Sequence, residues 1–225
     1  SEITLSAYDS CRLLLLNLTS FVEKPFTKQS RFNYELFDKN TKKAQRLMDD
    51  LIDLEMECVD KIILKIKADP ESDSVKSTEL DLWNKVKKAA INGRRTGLGV
   101  TGLGDTLAML GLTYGSEESI NETEKIYKNL CISSYTSSCL LAKERGAFPV
   151  YDFEKELNHP FIKRIFEQSS EVRDLHSLHG RRNIALTTTA PCGSVSMLTQ
   201  TTSGIEPAFM LKYTRRKKVN PNDLE

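Results

Sequence analysis

The chain has 225 residues, with 32 Lys+Arg against 31 Asp+Glu and a formal net charge of +1. That balance argues against a general nucleic-acid or membrane-surface binder, and 39% hydrophobic with 28% charged residues is a globular composition, not a disordered one. No apolar run approaches the ~20 residues needed to span a bilayer, and Ser1-Glu2-Ile3-Thr4 shows no basic segment followed by an apolar stretch, so no secretory signal is visible.

In chain order, residues 11–18 hold the apolar run Leu13-Leu14-Leu15-Leu16, which suits a strand buried on both sides. Lys24-Pro25 reads as a turn. From about 33 to 67 the pattern is helical, with Ala44, Leu47, Met48, Leu51, Cys58, Val59, Ile62, Ile63 and Ile66 at three- to four-residue spacing. Asp69-Pro70 ends that helix. The polar stretch 71–77 reads as a surface loop. A second helix is expected over 78–92, with Leu82, Val86 and Ala89 or Ala90 on one face and Gly93 as its stop. The glycine-rich segment 97–105 reads as a strand and tight loop leading into a helix at 105–111. Ser119-x-x-Glu122 has capping-box spacing ahead of a long helix over 120–145. Ser133, Ser134, Ser137 and Ser138 would let that helix approach a neighbour closely. Residues 147–182 read as loop plus short helix, and 183–187 as a buried strand. A loop at 189–194 leads to a helix beginning near Ser194. Residues 209–219 read as a last strand carrying the basic run Arg215-Arg216-Lys217-Lys218. Strands alternating with helices imply an α/β fold with parallel strands and crossover helices.

The five cysteines, at 11, 58, 131, 139 and 192, are odd in number and widely spaced. They do not read as a disulfide framework, and with His159, His176 and His179 they make no zinc spacing. No metal site is expected, and the compartment reads as reducing cytosol. Gly97-x-Gly99-x-x-Gly102 formally matches a dinucleotide fingerprint, but its acidic partner is only loosely placed at Glu117 or Glu118. Glycines serving close packing are the preferred reading. Pro191-Cys192-Gly193-Ser194-Val195-Ser196 puts backbone N–H groups and two hydroxyls at a helix start, which would suit an anion. On composition alone an ordinary serine-capped helix is favoured there. Taken singly, Cys11 is a small core residue and Glu2 a solvated carboxylate.

Several segments in order resemble one family, the large catalytic chain of ribonucleotide reductase, and most of all its adenosylcobalamin-dependent branch. They are Tyr8-Asp9-Ser10-Cys11-Arg12-Leu13, Gln45-Arg46-Leu47-Met48-Asp49-Asp50, and Arg94-Arg95-Thr96-Gly97-Leu98-Gly99-Val100-Thr101-Gly102-Leu103-Gly104-Asp105. Next come Lys143-Glu144-Arg145-Gly146-Ala147-Phe148-Pro149, Thr189-Ala190-Pro191-Cys192-Gly193-Ser194-Val195-Ser196, Ser203-Gly204-Ile205-Glu206-Pro207 and Tyr213-Thr214-Arg215-Arg216.

The resemblance implies an α/β fold that is part of a ten-stranded barrel, residues 1–225 being a portion incomplete at both ends. A finger loop in that family carries the radical cysteine in an Asn-x-Cys-x-Glu motif, and Ser1-Glu2 matches only its last two positions. Glu2 is then the carboxylate that exchanges a proton with the substrate 3′-hydroxyl. Cys11 is the second reducing cysteine, ending in a disulfide with a partner elsewhere in the protein. Pro191, Cys192, Gly193, Ser194, Val195 and Ser196 are the substrate phosphate loop, with Cys192 where the family usually has Thr. Implied associates are a ribonucleotide substrate, an N-terminal portion of the same reductase, a thioredoxin-type reductant and adenosylcobalamin, with no nucleic acid, no membrane and a cytoplasmic setting. The chain alone is expected to be inactive. Ser1 as a splicing nucleophile suggests a segment downstream of an intein, or a split-gene half. A class I large chain and a non-catalytic nucleotide-binding module are the alternatives.

Overall fold

The computed structural model describes residues 2–212 with Thr214 and Arg216. Ser1, most of the basic run 215–218 and the second half of the expected strand at 209–219 lie outside these residues. Within it, residues 209–212 form no strand.

Two long helices form the frame. Helix α1 (Tyr34–Ala68) starts where the Asn33 side chain accepts the Leu36 N–H at 2.9 Å, and it stops at Asp69, ahead of Pro70. Its buried stripe is Phe37, Thr41, Ala44, Gln45, Met48, Asp49, Ile52, Met56, Val59, Ile63 and Ile66. This corrects the expected face. Leu47 and Leu51 lie outside, at 52% and 39% exposure, and Cys58 is exposed too. The inner stripe instead takes in Gln45 and Asp49, which an apolar count skips. Helix α2 (Asp73–Gly93) begins five residues before the expected start, because Ser72 is extended and Asp73 opens the first turn with a favourable charge. It ends at Arg94, whose φ of 44° is the left-handed turn that a glycine had been expected to supply.

Helix α4 (Glu117–Arg145) packs along α1 and is capped by Ser116, not by Ser119. The Ser119 N–H and hydroxyl both go back to Ser116, to its Oγ and its carbonyl. The expected small-residue face is present. Ser133 Oγ donates to Asp38 Oδ1 at 2.6 Å and Ser137 Oγ donates to the Lys42 carbonyl at 2.9 Å. Hydroxyls therefore bind α1 across a close helix contact with their polar groups satisfied.

Strand β1 (Leu13–Asn17) pairs in parallel with β4 (Gly97–Thr101), Leu13 opposite Gly97 and Asn17 opposite Thr101. On the far side of β4, Leu98 bridges Thr187 in parallel. Ala185, Leu186 and Thr188 exchange backbone hydrogen bonds with Thr96 and Leu98. The expected strand at 183–187 is thus a single bridge, and the sheet is a parallel layer three chain segments wide. Among the described residues no barrel closes. Two short strands, β2 (Val22–Glu23) and β3 (Arg31–Phe32), pair antiparallel beside an aromatic knot of Phe21, Phe32 and Phe37, whose rings meet at 5.0–6.0 Å.

The glycine-rich segment is a packing device. A Cβ on Gly99 would lie 2.7 Å from the Thr188 carbonyl oxygen, and one on Gly104 would lie 2.7 Å from the Glu206 carbonyl oxygen. Protein backbone fills the space that a dinucleotide would need. Helix α3 (Leu103–Met109) follows directly. Gly99→Ala is expected to cost about 1–3 kcal/mol by forcing β4 and residue 188 apart. Urea unfolding checks this, and an unchanged midpoint would refute it.

Three short helices, α5 (Phe153–Asn158), α6 (Pro160–Gln168) and α7 (Ser170–His179), replace the loop expected over most of 147–182. They dock on α4 through Tyr135, Ile162, Ile165, Val172 and Leu186. Helix α8 (Gly193–Thr199) closes the described order.

Candidate active site

Parallel strands put their two ends in different surroundings, and the expected site residues divide between them. Cys11 precedes β1, at the N-terminal end of the layer, where the Gly97 N–H donates to the Arg12 carbonyl. The loop 191–196 follows residue 188, at the C-terminal end. The five residues of β1 place these ends about 16 Å apart. Glu2 sits between them. Its carbonyl accepts the Thr188 hydroxyl at 2.8 Å, and its charge reaches both Cys11 and Cys192. Glu2 is exposed, Cys11 half-buried and Cys192 buried.

A frame of charges surrounds Cys11. Arg95 Nε donates to Asp9 Oδ2 at 2.7 Å, and Arg12 Nε donates to Glu55 Oε2. Arg12 Nη1 also donates to the carbonyls of Ser10 and Arg95, which fixes the entry into β1. Burial and the nearby Glu2 charge push the Cys11 thiol up, against the opposing pull of Arg12 and Arg95. The group is therefore a thiol at neutral pH. On α4, half-buried Cys131 and buried Cys139 are pushed by desolvation to about 11 and about 12, which marks them as packing residues. All five cysteines are free.

At the other end, α8 begins at Gly193, with Cys192 as an N-cap that makes no side-chain cap bond. The first-turn N–H groups of Gly193, Ser194 and Val195 have no intrahelical acceptor. Ser194 is exposed, but Ser196 is buried, and its Oγ donates to the Gly193 carbonyl at 2.9 Å. The expectation of two available hydroxyls is thus corrected to one. Cys192 Sγ points inward, donating to the Ala190 carbonyl at 3.0 Å, while its N–H donates to Ser203 Oγ. Burial first, and the charges of Glu206 and Glu2 with it, raise the Cys192 thiol. Pro191 is exposed.

Two cavities meet at Glu2. One, about 380 Å³, also touches Arg95, Tyr135, His159, Phe161 and Arg181. The other, about 360 Å³, runs past Tyr127, Cys131 and Thr187 to Thr189, just ahead of the loop 191–196.

Sequence reasoning missed two buried polar clusters that hold these elements in place. In one, Asp49 is fully buried and accepts Arg94 Nε at 2.7 Å, Asn183 Nδ2 at 3.0 Å, Arg145 Nη1 at 3.1 Å and Arg182 Nε at 3.3 Å. Burial alone would raise its pKa; the hydrogen bond from Arg94, with the charges of Arg94 and Arg182, outweighs that and holds it below the usual range. Gln45 Nε2 bridges Thr96 Oγ1 and Asn183 Oδ1, and Ser138 Oγ adds a third tie to Asn183. One cluster thus joins α1, α2, α4, β4 and residue 183. Asp49, Asp50 and Asp53 stand close enough to suggest a cation site. Arginine already occupies it, since Arg145 pairs with Asp50 and Arg94 with Asp53.

In the other cluster, Arg181 holds Glu156 with two bonds of 2.7 Å and stacks near Tyr135 and Phe148. Buried His176 brings Nε2 to 3.5 Å of the same carboxylate. Burial works to raise Glu156, but His176 and Arg181 overcome it and bring it to about 2 from an ordinary 4.5. A lowered folded pKa means stability that is complete above about 4.5 and lost as pH falls toward 2. Glu156→Gln is expected to flatten the pH dependence of unfolding in that window, read by urea midpoints; an unchanged slope would refute it. A signal for the first cluster was present, as Asp49 and Arg94 lie inside the segments that carry the resemblance.

Comparison with known proteins follows the same line. Residues 1–223 match the family model of the ribonucleotide reductase barrel domain. The chain is similar to the vitamin B12-dependent ribonucleoside-diphosphate reductase of Mycobacterium tuberculosis (strain CDC 1551 / Oshkosh), with 29% identity over 214 residues, covering 95% of this chain and 24% of that protein. The vitamin B12-dependent enzyme of Thermoplasma acidophilum is 28% identical over 214 residues, 95% of this chain and 22% of that protein. The ribonucleoside-diphosphate reductase subunit alpha of Chlamydia muridarum is 30% identical over 146 residues, 56% of this chain and 14% of that one. Among solved structures, the class Id ribonucleotide reductase alpha subunit of Actinobacillus ureae superposes with a TM-score of 0.56 at 19% identity, covering 88% of this chain and 28% of that chain. That likeness concerns the fold. The chain spans about a quarter of the length of the curated relatives it matches.

Proposed function

The chain belongs to the ribonucleotide reductase barrel family, and from that membership we propose that it supplies part of the active site of an enzyme reducing ribonucleotides to 2′-deoxyribonucleotides. The observation that carries this reading is the line of groups along residues 185–195. A half-buried thiol stands at one end of the layer, a carboxylate between, and unpaired helix N–H donors at the other.

In this reading the first-turn N–H groups of Gly193, Ser194 and Val195, with the Ser194 hydroxyl, hold the substrate phosphate; Pro191, Cys192 and Ser196 shape that turn from behind. Glu2 takes the 3′-hydroxyl proton as a thiyl radical, carried by another portion of the enzyme, removes the 3′-hydrogen. Cys11 and a partner cysteine give up two electrons and two protons as the 2′-hydroxyl leaves as water, and close a disulfide. A thioredoxin-type dithiol reopens it. The Cys11 thiol, kept protonated by burial and by Glu2, suits that donor role.

The radical source proposed for the complete enzyme is adenosylcobalamin, in keeping with the vitamin B12-dependent relatives. The two cavities at the candidate site do not fit the cofactor itself. The cavities that meet at Glu2, about 380 and 360 Å³, lie at the small end for ligand sites and are far below a corrin with its nucleotide arm. No step is assigned to it in this chain. Among the described residues no helix is long and apolar enough to cross a membrane; a cytoplasmic setting is part of the proposal.

The test is co-expression with the N-terminal portion, followed by a reductase assay with and without adenosylcobalamin. Deoxyribonucleotide formation that needs both is the expected result. Turnover by the isolated chain, or none from the pair with or without adenosylcobalamin, would overturn it, and activity of the pair without adenosylcobalamin would overturn the radical source.

A further inference from the structure

We propose that a separate hollow, between the turn at residues 6–9 and the C-terminal end of α2, binds a small aromatic anion of the aryl phosphate class. The hollow measures about 440 Å³, within the range of small-molecule sites. Its lining holds three cations, Lys85, Lys88 and Arg95, and no carboxylate. The remaining walls are largely apolar: Tyr8, Ala89, Val150 and Ile184 among them. A cationic rim over an apolar floor calls for a ligand with one anionic and one flat apolar end.

Three details favour an occupant. Lys85 is engaged by Asp81 at 2.6 Å, but Lys88 makes no ion pair among the described residues. Arg95 is nine-tenths buried and spends only Nε, on Asp9; its two terminal nitrogens have no hydrogen-bond acceptor among the described residues. These nitrogens are not among the fully buried, unpartnered atoms, and since a guanidinium cannot shed its proton they stay as donors open to an anion in the hollow. Finally, Tyr8 holds a φ of 63°, a conformation that a bulky residue adopts at a cost and that clusters at functional sites. The Asp9 N–H donates to the Ser6 carbonyl and closes this turn. The result is a Tyr8 ring facing Lys85 Nζ at 5.3 Å, at the mouth of the hollow. The hollow shares Arg95 with the surroundings of Cys11 and the cavity at Glu2, but none of its groups is assigned a step in the reaction.

Pyridoxal 5′-phosphate is a suitable probe, since it carries a flat ring, a phosphate and an aldehyde. Its aldehyde condenses with a lysine amine, releasing water, and borohydride then reduces the imine to a stable secondary amine. Mass mapping of the full chain is expected to find saturable labelling concentrated on Lys88 or Lys85. Phenyl phosphate should compete, and inorganic phosphate should compete poorly. Titration calorimetry with phenyl phosphate should show binding that weakens about tenfold or more in Lys88→Met, which loses a charged partner, and that also weakens in Tyr8→Leu. Both residues are exposed, so the variants should keep their fold. Labelling spread over surface lysines in proportion to exposure, or indifferent to phenyl phosphate, would overturn the proposal. So would equal competition by inorganic phosphate, which would mean that the apolar floor contributes nothing.

Discussion

Asp49→Ala is expected to destabilise the chain by about 3–5 kcal/mol, the range for removing one partner of a buried ion pair. Asp49 is fully buried, and three guanidinium groups and one amide converge on its carboxylate. Deleting it leaves Arg94, with a side chain only 6% exposed, facing a space with no anion. Arg94 keeps its bonds to the residue 49 carbonyl and to Asp53, but the first carries no charge and the second carboxylate is 54% exposed, so both offer little compensation. Asp49→Asn should fall between, because an amide retains one acceptor and loses the charge. Asp50→Ala and Asp53→Ala provide the scale, since partly exposed pairs of this kind contribute about 1 kcal/mol or less. Urea unfolding with an unchanged slope measures all four. If Asp49→Ala costs no more than Asp53→Ala, the carboxylate is not the keystone of the cluster.

The same residue shows where sequence reading stopped. Periodicity found α1 almost to the residue, because Asn33 and Pro70 punctuate a long apolar repeat. It chose the wrong face in part, since Gln45 and Asp49 point inward and Leu47 outward. A buried carboxylate becomes intelligible only with its partners, and these come from positions 94, 145, 182 and 183, brought together by the fold. The parallel layer was legible in outline from Leu13–Asn17 and Gly97–Thr101, where β-branched or leucine-rich runs meet small residues. Its third member was overcalled. Residues 185–188 are held by a few hydrogen bonds to β4 and extend no further ladder.

The site was legible in a different way. Glu2 and Cys11 carry no local signal, and only the order of several segments singled them out. The fold then adds something that spacing could not. It sets the Cys11 thiol and the loop 191–196 at opposite ends of one strand layer, with Glu2 electrostatically close to both. It also withdraws Ser196, whose hydroxyl is spent within α8. The glycines at 97–104 follow the reading preferred for them, close packing: backbone oxygen would lie 2.7 Å from a Cβ on Gly99 and on Gly104.

Different groups on that line predict different kinetic losses, and the contrast is the stronger test of the proposed chemistry. In the complete enzyme, Glu2→Gln should lower kcat by about 10²–10⁴, the usual contribution of a positioned acid–base group, with KM nearly unchanged. Cys11→Ser should abolish multiple turnover, because a hydroxyl cannot form the disulfide that carries away two electrons; adding more external dithiol should not restore it. Ser194→Ala should act oppositely, raising KM about tenfold through one lost bond to a charged group while sparing kcat. Steady-state assays at saturating dithiol separate the three. A Cys11→Ser enzyme that turns over like the parent would remove Cys11 from the reaction and leave it a strand-entry residue. A Ser194→Ala enzyme whose loss falls on kcat would move that hydroxyl from phosphate holding to the reacting end. The chain's division into two ends requires these losses to separate, because no single group at Cys11 can reach a phosphate held about 16 Å away across a five-residue strand.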